Sequence, residues 1–137
     1  MPWMTKTESP VLGSRDVIET GTLIRTTLVG IILQVAMYVL GHFSHWVAVN
    51  VFDFGAMMIS ASAAYLYAMV TGRGYFSSAT AGAVVGGTCG FLGIGLSAFL
   101  GDSHVGYVPT ATTIAVFVGA VGGLFGQLAA VLRSMGF

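Results

Sequence analysis

Three histidines and one aspartate are the first groups that could do chemistry. His42 and His45 stand in "LGHFSHW", and His104 follows Asp102 in "LGDSH". Imidazole nitrogens with a carboxylate suit zinc, copper or nickel, and His-x-x-His brings two ligands within one helical turn. A divalent metal held by His42, His45, His104 and Asp102 is one expectation. Polar residues merely tolerated at an interface, or imidazoles that sense acidity, are the alternatives.

A second constellation is Asp53 with Asn50, both in an apolar stretch that begins near Trp46. Along a helix rising 1.5 Å per residue, Asp53 would lie about 10 Å beyond Trp46. Asn50 three residues before it and Met57 four after it share its helical face, which predicts a polar stripe running inward. An ionised carboxylate facing lipid is costly, so Asp53 is expected to face a bundle interior, a wet cavity or a partner. Two roles follow: a path for a cation or proton lined by Asp53, Asn50 and Gln34, or a structural hydrogen bond between helices. Gln34 and Gln127 fit either role, as pore-lining groups or as interhelical hydrogen bonders.

The elements that position these groups are set by hydropathy. Of 137 residues, 55% are hydrophobic and 7% charged, against roughly 25% charged in ordinary soluble domains. Apolar stretches at about 22–41, 46–70, 78–100 and 110–132 each reach the roughly 20 residues that cross a bilayer as a helix. Runs such as "TLVGIILQVAMYVL" lack the alternation of barrel strands. The fold class expected is an all-α integral membrane protein, a four-helix transmembrane bundle, with a tail at 1–21 and a membrane domain at 22–137. The polar start does not resemble a cleavable signal peptide, so the mature chain is expected to keep it. Its "SRDVIET" segment is read as a short amphipathic turn on the membrane surface.

Orientation follows the cations. Lys6, Arg15, Arg25, Arg73 and Arg133 all fall on the side shared by the termini and the central loop, which the positive-inside rule makes cytoplasmic. Every histidine then faces outward, and the bacterial inner membrane is the expected location. Trp46 and Tyr107 read as interfacial anchors.

Small residues recur four apart at Ser78, Gly82, Gly86 and Gly90, again at Gly93, Ser97 and Gly101, and in the last span at Ala115, Gly119 and Gly123, with Gly122 and Gly126 on another stripe. Such glycine-zipper faces bring helices close in lipid, where the hydrophobic effect between helices is absent. One face is expected within the hairpin and another free, predicting a homo-oligomer or docking into a larger complex. The recurrence of LG…SH at Leu40–His45 and Leu100–His104 hints at duplicated hairpins related by an axis along the membrane normal.

Other classes lack their parts. Zero formal net charge gives no basic patch for nucleic acid. No phosphate loop, activated nucleophile or cysteine cluster occurs, so no enzyme is expected. Cys89 reads as a small apolar filler. The function expected is an oligomeric transporter or channel for a small cation, proton or other small solute. The alternative is a structural subunit of a larger membrane complex, such as a secretion or electron-transfer assembly.

Overall fold

A computed structural model describes residues 20–137. The "SRDVIET" segment, Lys6 and Arg15 lie outside the described residues. Among the described residues five α-helices follow one another: α1 (Thr20–Phe43), α2 (His45–Asn50), α3 (Phe52–Thr71), α4 (Tyr75–Phe99) and, after a 3-10 turn at Val105–Tyr107, α5 (Val108–Ser134). All but α2 are long and apolar enough to cross a membrane, giving an integral membrane protein with four spans. In lipid a backbone must satisfy its own N–H and C=O groups, and the helix does so within one segment.

The helices run alternately up and down. α3 and α4 form the middle pair; α5 packs against both on one side and α1 against both on the other. Arg25, Arg73 and Arg133 lie toward the end that holds the start of α1 and the end of α5. His42, His45, Asp102 and His104 lie at the opposite end, here called the histidine end.

Glycine sets the spacing inside the bundle. A Cβ on Gly82 or Gly86 of α4 would run into the backbone of Gly119 or Ala115 in α5, and a Cβ on Gly123 would strike Ser78. Gly90 faces Ala115 in the same row. The second stripe of α5 is used as well: Gly122 and Gly126 press on the α3 backbone at Ala61 and Tyr65. Both glycine faces of α5 are therefore occupied within this chain, including the one expected to stay free for a partner. Small residues on three consecutive helices permit a triad of mutually close helices, which consumes one more face than a hairpin does.

Short connections hold the triad in register. α3 ends at Gly72, whose φ of 56° is the left-handed conformation glycine tolerates, and its N–H returns to the Ala68 carbonyl. Gly74 N–H and Ser78 Oγ both donate to Oε1 of Gln127, at 3.1 and 3.0 Å. Gln127 is thus an interhelical bond between α4 and α5. Arg133 donates to the Met69 carbonyl at 3.3 Å, placing a cation at the negative end of the α3 dipole.

The second apolar stretch is two helices instead of one. Ser44 is extended (φ −131°, ψ 102°), α2 makes a turn and a half, and Val51 (φ −117°) interrupts the chain before α3. Valines at 47, 49 and 51 and the asparagine at 50 are weak helix formers. The Asn50 amide folds back to donate to the Trp46 carbonyl at 2.9 Å, the local competition by which such side chains end helices. The histidine-end turn is consequently built from α2, and the span itself begins only at Phe52.

Candidate functional site

The break at Val51 decides where the intramembrane acid sits. Asp53 is in the first turn of α3, where the positive end of the helix dipole stabilises a carboxylate. It is exposed, at the histidine end of the bundle, instead of deep in a continuous span.

Below Asp53 the same face of α3 continues through Ala56 and Met57 to Ser60. Seven residues of helix separate Asp53 from Ser60, about 10 Å along the axis. Opposite, α1 contributes Gln34 and Tyr38, one turn apart. They fit against α4 because Gly93 has no side chain: a Cβ there would fall 2.5 Å from Gln34 Cγ and 2.5 Å from Tyr38 Cε2. The Phe52 ring meets Tyr38 edge-on, with centroids 4.2 Å apart and planes at 87°. From α4 come Gly90 and Ile94, and Ala111, Ile114 and Ala115 of α5 with Tyr107 close the remaining side.

These residues enclose a cavity of about 40 Å³ at the meeting point of all four spans. Its floor is polar and unsatisfied. Gln34 is 1% exposed and Ser60 0% exposed, yet neither amide atom of Gln34 and not the Ser60 hydroxyl has a hydrogen-bond partner. Tyr38 is close enough to Gln34 to share a hydrogen bond with it and lies within electrostatic reach of Asp53 and Tyr107, but the Gln34 amide atoms have no bond of normal geometry. A buried polar group without a partner costs roughly 1–3 kcal/mol. Two of them in one cavity imply that something polar fills it, and a water needs only about 10–15 Å³.

Beyond Ser60 the bundle is closed. Ala63, Ala64, Val85 and Cys89 form an apolar cluster, with Leu23 and Ile31 against it. A second cluster of Tyr67, Ala68 and Ala81 follows toward the terminal end. The Cys89 thiol fills space beside the Thr27 carbonyl at 3.8 Å. These clusters close the bundle between the cavity floor and the terminal end.

Of the residues expected to line a path, Asp53 and Gln34 meet around the cavity and Asn50 does not. The helix break removes Asn50 from the α3 face, and its amide is engaged with Trp46. Tyr38, Ser60 and Tyr107 were missed. Their signals were present: Gln34 and Tyr38 are four apart, as are Asp53 and Met57, with Ser60 three further on the same face.

The outer histidines do not assemble as a set. His42 Nδ1 and Asp102 Oδ2 are 2.9 Å apart, joining the end of α1 to the loop after α4. That loop is itself pinned by a 2.7 Å bond between the Ser97 and Ser103 hydroxyls. His104 Nδ1 accepts from Gly106 N–H at 3.1 Å, capping its own 3-10 turn. His45 is exposed at the start of α2. Among the described residues no three His, Cys, Asp or Glu side chains converge as a metal site would require. His42 with Asp102 is a clasp between two elements near the cavity mouth.

Compared with family models, with curated proteins and with solved structures, the chain matches none.

Proposed function

We propose that this membrane protein transports a proton or another small cation, and that the cavity is the half of its path open at the histidine end. The observation that carries this reading is the floor of that cavity, where the Gln34 amide and the Ser60 hydroxyl are buried without partners. An intramembrane carboxylate such as Asp53 marks an ion or proton pathway by default, and Gln34 and Ser60 extend the polar lining below it. A volume of about 40 Å³ admits water or a bare ion and rejects organic solutes, whose pockets are roughly 300 Å³ or larger. Asp53 supplies the single carboxylate, and no arginine or lysine lines the site. The apolar plug below Ser60 fits a transporter that alternates between states better than an open channel. With the arginines at the terminal end, the mouth would face the outside of a bacterial inner membrane.

The test is flux into liposomes that contain the purified chain alone. A cation or proton flux present in the wild type and lost in Asp53→Asn, at unchanged thermal stability, is the expected outcome. Equal rates for the two proteins would overturn the reading.

A second reading, a non-transporting subunit in a homo-oligomer or larger membrane complex, has one observation in its favour. The outer side of α4 and α5 carries an open apolar groove lined by Ala83, Gly87, Phe91 and Val116, and the Thr112 hydroxyl in it has no partner. The mass of the detergent-solubilised particle tests the homo-oligomer, which a monomer removes, and flux from the chain alone in liposomes separates this reading from transport.

A further inference from the structure

We infer that the cavity is a proton-loading site, in which a short file of water joins the Gln34 and Ser60 floor to Asp53 and Asp53 takes up the proton. This rests on the transport reading above and names the species carried. Three features separate a proton from an alkali or alkaline-earth cation.

The first is the floor. Gln34 presents an unpartnered donor, Nε2, beside an unpartnered acceptor, Oε1. A metal cation would satisfy Oε1 and leave the amide N–H facing a like charge. Water donates and accepts, so it satisfies both atoms and the Ser60 hydroxyl together. Buried waters of this kind make about three hydrogen bonds each.

The second is the wall. Hard cations take about six oxygen ligands. Between Asp53 and the floor the cavity is lined mainly by apolar side chains such as Met57, Ile94 and Ile114, and the carbonyls of α3, α4 and α5 are engaged within their helices. A cavity of about 40 Å³ has room for two or three waters at about 10–15 Å³ each, and not for an ion that keeps its shell.

The third is the carboxylate. Asp53 forms no ion pair among the described residues, and it stands in the first turn of α3 as the one carboxylate that lines the cavity. The titratable groups facing it are Tyr38 from α1 and Tyr107 from the turn before α5. α4 and α5 bring none to the cavity, and His45 of α2 does not line it. Loading balances simply: the Asp53 carboxylate and a hydronium ion give the carboxylic acid and water, and release is the reverse.

Infrared difference spectroscopy on the full chain in liposomes, titrated with acid, reads this step directly. A carboxylic C=O band that appears in the wild type and is missing in Asp53→Asn is expected, and its titration should shift when Gln34→Met and Ser60→Ala are combined. The same liposomes with a luminal pH dye should dissipate a pH gradient, while sodium and potassium fluxes stay at the protein-free level. No band at Asp53, or a band unmoved by the double variant, overturns the water-file site. A sodium or potassium flux without the band overturns the proton and leaves transport standing. The band without any flux overturns transport and leaves the loading site.

Discussion

Gly86 of α4 and Gly119 of α5 meet backbone to backbone: a Cβ built on Gly86 would lie 2.7 Å from the Gly119 Cα. No rotamer change can relieve such a contact, because the obstructing atom belongs to the main chain. Gly86→Ala or Gly119→Ala should therefore destabilise the protein by at least about 1–3 kcal/mol, the usual range for overpacking. Gly95 has nothing within 4 Å of its Cβ position, and Gly95→Ala should be neutral or stabilising by up to about 1 kcal/mol through helix propensity. Thermal unfolding in detergent compares the three; a Gly86→Ala protein as stable as Gly95→Ala would refute the packing.

The two intramembrane glutamines should respond oppositely to the same substitution. Gln127→Met strands Ser78 Oγ and Gly74 N–H, both of which donate to it, at roughly 1–3 kcal/mol. Gln34→Met removes at most a poorly aligned contact with Tyr38, so its stability should stay near wild type while transport falls. Chemical denaturation together with liposome flux measures both halves of this contrast.

Gly93→Ala tests the cavity from its other wall. The new methyl would push on the Gln34 side chain and the Tyr38 ring, which are side-chain atoms able to yield. The variant should fold and lose transport, as scored by size-exclusion profile and flux. Retained flux would show that the Gln34 position is irrelevant to passage.

The clasp between His42 and Asp102 joins side chains that are 43% and 36% exposed, and pairs of this kind contribute about 0–1 kcal/mol. His42→Ala should leave the melting temperature almost unchanged.

The fold was legible because 20-residue apolar runs separated by short polar breaks admit one architecture in lipid. Gly82, Gly86, Gly119 and Gly123 were legible as close-packing positions because four-residue spacing puts them on one helical face. Which helix each face meets was not, since spacing carries no information about partners; one glycine face was expected to stay free, and α3 covers the stripe of Gly122 and Gly126. The site was half legible. Asp53 and Gln34 stand out as polar residues in apolar runs, whereas Ser60 is hidden among the alanines of α3 and Tyr38 resembles any interfacial aromatic. Asn50 was misplaced because hydropathy is continuous from Trp46 onward, while the break at Val51 comes from β-branching and one side-chain bond. His45 and His104 were grouped with His42 by loop membership, and the 3-10 turn draws His104 into a local cap instead.

The interlocked backbones of α3, α4 and α5 leave little room for sliding among themselves. α1 meets the others chiefly through side chains at Gly30, Gly41 and Gly93, and it donates Gln34 and Tyr38 to the cavity. Were the chain to transport as proposed, the stroke that exposes the floor to the terminal end would fall to α1, swinging as a lever against a three-helix block.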